Sequence, residues 1–199
     1  MNETRLNHLR PILFLLLALT LAACSGPADE PPLKGAAIGG PFTLTNQEGR
    51  QVTERDFAGR YRIMYFGFTH CPDVCPTDLA VIGQALRRFE KSDPARAARV
   101  APVFVSVDPE RDTPAVLKEY VAAFHPRLVG LTGTPKQVGD MVRRYGAYGA
   151  KDAPQAGGGY NVNHSRLAEL IGPDGKPIAL LSYDKGAEAV AAEFERWVK

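Results

Sequence analysis

"FTHCPDVCPTDL", residues 68–79, carries two cysteines, Cys71 and Cys75, with three residues between them and a proline directly after each. Such a pair can close as a redox disulfide, supply the nucleophile of a peroxide-reducing enzyme, or form half of a metal site. The stretch alone leaves all three open. Its surroundings narrow them.

Just upstream, "YRIMYFGF" (61–68) is an unbroken apolar and aromatic run of strand length, which predicts a strand buried on both faces. Downstream from Pro76, "PTDLAVIGQALRRFEK" places apolar residues at 79, 82, 86 and 89, a helical stripe. Pro76 suits the first helical position, where a missing N–H costs nothing. The cysteines thus fall in a strand-to-helix turn. Pro72 keeps Cys71 extended. Cys75 is expected at the helix start, where free N–H groups and the helix dipole favour thiolates.

Further out, "PFTLTNQEGRQVT" (41–53) alternates around Gly49 and reads as a hairpin. "VAPVFVSVD" (100–108) is a second buried strand, and "RLVGLTG" (127–133) a short third. "DTPAVLKEYVAAF" opens a helix capped by Asp112 or Thr113, and "TPKQVGDMVRRYG" another capped by Thr134. "YNVNHSRLAELIGPDGKPIALLSYD" (160–184) reads as a hairpin turning at "GPDGK", and "GAEAVAAEFERWVK" as a closing amphipathic helix. This order predicts an α/β protein: a mixed central sheet with flanking helices and an N-terminal hairpin extension. With a cysteine pair between the first core strand and first helix, it resembles the thioredoxin fold. The glycine run at 157–159 leads into a strand and lacks the lysine of a phosphate-binding loop.

The N-terminus differs in kind. After Arg5 and Arg10, the twelve residues Ile12–Ala23 are apolar, short for a bilayer span and suited to a signal peptide over 1–23. "LAAC" (21–24) resembles the bacterial lipobox, making Cys24 the expected lipid attachment. "SGPADEPPLKGAAIGG" lacks periodicity, so 24–40 is expected to be a disordered tether and 41–199 the folded domain. The domain is then expected in the cell envelope, lipid-anchored to the membrane and facing the periplasm. In that setting an isolated cysteine pair is usually structural, but a bridge enclosing three residues constrains the unfolded chain little. Chemistry is the stronger expectation. The 199 residues, at net charge +2, show no basic face to suggest nucleic acid.

A metal held by two thiolates needs a third ligand. His8 leaves with the signal peptide. His125, in "AAFHPRL", is expected to cap a helix end or lie in solvent, and His70 should point away from its neighbour Cys71. His164 enters the terminal hairpin, which in a thioredoxin-like fold passes beside the cysteine turn. It could reach both sulfurs, or be a half-buried histidine bonded to Ser165 or backbone.

"FGFTHCPDVCPTDL", "VFVSVDPERDTP" and "YNVNHS…LIGPDGK", in this order and spacing, resemble the Sco/SenC family from about Phe42 to the C-terminus. The resemblance implies a thioredoxin-fold copper protein that assists assembly of the dinuclear copper site of cytochrome c oxidase, with oxidase subunit II as partner. It implies copper ligation by Cys71, Cys75 and His164, and a redox disulfide between the two cysteines. Copper(I), a soft ion, accepts two thiolates and an imidazole. Asp73 is expected to cap the helix or meet the partner, and Asp108, Arg111 and Asp112 to serve turns and caps first and a docking surface second.

A thiol–disulfide oxidoreductase would use the same cysteines without His164. A peroxiredoxin-like peroxidase is disfavoured: it wants Pro seven and Thr three positions before its cysteine, where this chain has Phe68 and Pro72, or Met64 and Phe68. A methionine-rich copper carrier is disfavoured because only Met64 and Met141 follow the signal peptide.

Overall fold

The computed structural model of the protein describes residues 30–154 and 159–199. The signal peptide, Cys24, the first part of the tether and most of the glycine-rich run lie outside the described residues. The folded unit is β1 (Thr43–Asn46), β2 (Gln51–Thr53), β3 (Tyr61–Gly67), α1 (Val74–Ser92), α2 (Pro94–Ala98), β4 (Val100–Ser106), α3 (Pro114–Ala122), β5 (Val129–Thr132), α4 (Pro135–Arg144), β6 (Gly149–Lys151), β7 (Val162–His164), β8 (Ala168–Ile171), β9 (Pro177–Leu180) and α5 (Ala187–Trp197).

Seven strands form one mixed sheet in the order β2-β1-β5-β4-β3-β8-β9, and β6 pairs with β7 apart from it. β3, β4 and β5 run parallel at the centre, while the outer pairs are antiparallel. Alternation along β3 feeds two cores, since successive strand residues face opposite ways. Ile63 and Tyr65 join Leu79, Leu86 and Phe89 of α1 and Phe194 of α5 on one face. Met64 and Phe66 join Leu44 of β1 and Val138 and Met141 of α4 on the other. The Phe89 and Phe194 rings meet at 5.8 Å and lock α1 to α5.

Thr113 and Thr134 cap α3 and α4 with their side chains, each followed by proline, as their sequences predict. The start of α1 differs. It begins at Val74 rather than Pro76, so Cys75 is already helical. Proline is accepted within this first turn because those N–H groups have no intrahelical partner. Asp73 occupies the cap position without a side-chain cap bond. The Cys75 amide instead donates to Cys71 Sγ at 3.5 Å.

The segment from 160 to 184 is not one hairpin. β8 and β9 pair as expected, but β7 leaves the main sheet and pairs with β6, placing His164 opposite Gly149. The Ser165 amide donates to the Tyr148 carbonyl, and Arg166 turns towards α1. The expected tether is also shortened at its C-terminal end. The Leu33 amide donates to the Ile178 carbonyl and the Gly39 amide to the Arg144 carbonyl, while Ile38 packs on the second core. Backbone hydrogen bonds and an apolar anchor thus hold residues 31–40 on the domain. Among the described residues, no helix is long and apolar enough to cross a membrane.

Candidate metal centre

The centre forms where β3 ends and α1 begins. Gly67 closes β3; a Cβ there would lie 2.7 Å from Cys75 Sγ, so only glycine leaves room for the sulfur. The chain then turns through Phe68–His70. Asp112, fully buried, accepts from the Thr69 amide at 3.1 Å, the Thr69 hydroxyl at 2.7 Å and the Ser106 hydroxyl at 2.6 Å. This fixes the approach to Cys71, whose amide donates to the Phe68 carbonyl. Cys71 is 9% exposed and Cys75 fully buried, and both are free thiols.

His164 comes in from β7. Its Nδ1 lies 3.0 Å from the Ser165 carbonyl, which can only accept, so Nδ1 carries the hydrogen. In the neutral ring Nε2 is then a bare acceptor, and it sits 3.4 Å from Cys75 Sγ. The Phe68 ring meets the imidazole edge to face at 5.5 Å. One donor atom from each of Cys71, Cys75 and His164 lies within 4.8 Å of the others. Both sequence alternatives for His164 hold together: its backbone bond to Ser165 is what turns Nε2 to the sulfurs.

The electrostatics correct the sequence expectation for Cys75. Burial pushes its thiol up to about 12; the Phe68 amide pulls the other way, and neighbouring Cys71 adds to the rise. Without a bound cation this group is a thiol rather than a thiolate, because desolvation outweighs the helix N-terminus.

The remaining histidines stand apart. His70 is exposed, with Nδ1 3.0 Å from the Thr69 hydroxyl. His125 is neither a carbonyl cap nor solvated. It is 2% exposed, its Nδ1 accepting from the Arg127 amide and its Nε2 3.4 Å from Glu90. Burial holds its pKa below the usual histidine range.

Sequence reasoning missed two supports. Arg166 grips buried Asp78 through Nη2 at 2.6 Å and Nε at 3.1 Å, while the Tyr65 hydroxyl donates to Asp78 at 2.9 Å. Asp78 falls in phase with the buried stripe of α1, and a carboxylate there signals a hidden partner. The second lies in "DPERDTP", where Asp108 accepts from the Tyr160 hydroxyl at 2.7 Å and Arg111 donates to the Tyr160 carbonyl at 3.1 Å. The Arg111 guanidinium also lies 3.9 Å over the Tyr160 ring. These residues, expected as turn and cap groups first and a docking surface second, hold the segment leading to His164.

Two cysteines and a histidine convergent at the end of a strand, on a mixed α/β sheet, define a thiol-based metal-binding or redox protein. The fold itself is thioredoxin-like: the thioredoxin domain of a thiol-disulfide oxidoreductase from Bacteroides vulgatus is similar at TM-score 0.56 and 17% identity, covering 81% of this chain and 96% of that one. Residues 30–199 match the SCO1/SenC family model, and the chain belongs to that family. It is 44% identical over 146 residues to the mitochondrial SCO1 homolog 1 of Arabidopsis thaliana, covering 73% of this chain and 42% of that protein. The chain thus spans less than half the length of that relative. It also resembles Bradyrhizobium japonicum ScoI, whose structure has copper bound, at 40% identity and TM-score 0.73, covering 81% of this chain and 99% of that one.

Proposed function

We propose that this protein is a copper metallochaperone that holds copper through Cys71, Cys75 and His164. In this reading it assists assembly of the dinuclear copper site of cytochrome c oxidase, with subunit II as recipient. The observation that carries it is the convergence of two sulfurs and a bare imidazole nitrogen within 4.8 Å, a donor set suited to a soft cation. Membership of the SCO1/SenC family and similarity to a copper-bound relative support it. Cys75 gives up its proton to serve as a ligand, while His164 presents Nε2 already free. The "LAAC" motif supports lipid attachment at Cys24 and a domain on the periplasmic side of the envelope.

A second reading, a thiol–disulfide reductase acting on partner cysteines, draws on the thioredoxin-like fold and the adjacent reduced thiols. Copper(I) titration of wild type and His164→Ala, beside reduction of a test disulfide, separates the two. Disulfide exchange needs only the sulfurs and access to them. The chaperone reading expects His164→Ala to lose copper affinity yet keep reductase activity within about threefold. Full affinity and full oxidase assembly in His164→Ala, with both lost in Cys75→Ser, would overturn it for the reductase.

A further inference from the structure

The strand carrying His164 meets the helix carrying the cysteines through side chains, Val162 packing in the core that holds Cys75 and Leu79. β7 pairs with β6 rather than with the main sheet, so its ladder fixes His164 against Gly149 and leaves its distance from α1 unset. The next element in the main sheet, β8, begins only at Ala168. Between them stands Arg166, whose side chain reaches α1 directly.

That reach ends on Asp78, three residues beyond Cys75 on the same helix. The contact is bidentate, at 2.6 and 3.1 Å, and Asp78 is only 2% exposed. Paired planar groups fix direction as well as distance, which a single-point contact does not. Both ends are themselves held. Asp78 accepts from the Tyr65 hydroxyl at 2.9 Å, and Tyr65 belongs to β3, whose last residue touches Cys75. The Arg166 carbonyl accepts from the Tyr183 hydroxyl at 2.6 Å, with the guanidinium 5.6 Å over the Tyr183 ring. The pair carries no net charge, so its influence on a nearby cation is one of geometry more than of field.

We propose that Asp78 and Arg166 are a positioning pair that sets His164 Nε2 against the two sulfurs. Neither touches the metal; both act through His164. The inference rests on the copper reading above and deepens it: the third ligand is held in place by an ion pair outside the ligand set. Losing the pair leaves copper on the two sulfurs with the imidazole withdrawn.

The test is copper(I) competition against a chromophoric chelator on the full-length protein, with X-ray absorption counting sulfur and nitrogen neighbours. Arg166→Ala is expected to lower affinity about 10- to 100-fold, in the manner of lost outer-shell partners, and to remove the nitrogen neighbour. Arg166→Lys, with one donor point, should fall between. Asp78→Asn, which keeps the side-chain shape, gives the same direction should Arg166→Ala fail to fold. The decisive arm is the double variant. Added to His164→Ala, Arg166→Ala should cost no more than about twofold further, because its route to the metal is already gone. Losses that multiply in the double variant, or single variants keeping wild-type affinity and the nitrogen neighbour, overturn the proposal. Wild type that binds no copper, or His164→Ala at full affinity, overturns the copper reading and this proposal together. That outcome is distinguishable because it is seen without touching Arg166 or Asp78.

Discussion

Gly67 and Cys75 occupy what is nearly one volume: a Cβ on Gly67 would lie 2.7 Å from the Cys75 sulfur, 3.0 Å from the Tyr65 ring and 3.1 Å from the Phe104 ring. The strand end is therefore shaped around the thiol. Gly67→Ala is expected to destabilise the fold by about 1–3 kcal/mol through overpacking. Part of the strain should be relieved by displacing the sulfur, so copper(I) affinity should fall as well. Thermal unfolding and copper titration check the two effects; a variant normal in both would show that the sulfur has room to spare.

The second expectation concerns competition between metal and disulfide. Both sulfurs are free and the Cys75 amide already contacts Cys71 Sγ at 3.5 Å, so the two residues stand close in the reduced fold. Joining them consumes both thiol ligands at once. Oxidised protein is expected to bind copper(I) far more weakly than reduced protein, with affinity restored by a dithiol reductant. Equal binding before and after reduction would place the metal elsewhere.

Much of this was legible in the sequence for a physical reason. Apart from Arg62 the run 61–68 is apolar and of strand length, as a central strand requires, and the stripe at 79, 82, 86 and 89 has helical period. Threonine–proline pairs marked the starts of α3 and α4. The cysteines announced themselves by residue type, and His164 through its family motif. What was not legible depends on partners remote in sequence. Asp78 and Arg166 are 88 residues apart; the place of Asp78 in the buried stripe signals a partner, but nothing local marks Arg166 as that partner. The departure of β7 from the terminal hairpin was hidden too, because Val162–His164 alternates as well for pairing with β6 as for the main sheet.

Glu169 offers a pH test away from the site. It lies on β8, fully buried, and no described protein group hydrogen-bonds either carboxylate oxygen. Burial alone pushes its pKa from 4.5 up to about 8. The folded state thus keeps the proton where the unfolded chain releases it. Stability from this group is fully present below about pH 4.5 and declines by about 1.4 kcal/mol per pH unit until the folded pKa is reached. Glu169→Gln removes that titration. Urea unfolding of both proteins between about pH 5 and 8 should show the variant gaining on wild type as pH rises, by on the order of 3 kcal/mol across the range. Parallel pH profiles would mean that Glu169 is ionised in the fold.

The last expectation tests how the turn before Cys71 is held. Asp112 takes three hydrogen bonds while fully buried, two from Thr69 and one from Ser106. It joins the segment entering the cysteine loop to the end of β4, its own bonds to Thr69 spanning 43 residues of chain. The two hydroxyls can rotate to accept instead of donate, but the Thr69 amide can only donate. Asp112→Asn keeps an acceptor for that amide and for the Ser106 hydroxyl, provided its oxygen takes the Oδ2 place, and lets the Thr69 hydroxyl turn to accept from its NH2. Asp112→Ala takes the acceptor from the Thr69 amide and from the buried Ser106 hydroxyl together. Alanine is therefore expected to cost about 2–4 kcal/mol in urea unfolding, and asparagine about 1 kcal/mol. Because Cys71 follows Thr69 by two residues, alanine should also weaken copper(I) binding, with asparagine close to wild type. Equal losses from the two substitutions would show that the negative charge, rather than the supply of acceptors, holds the turn.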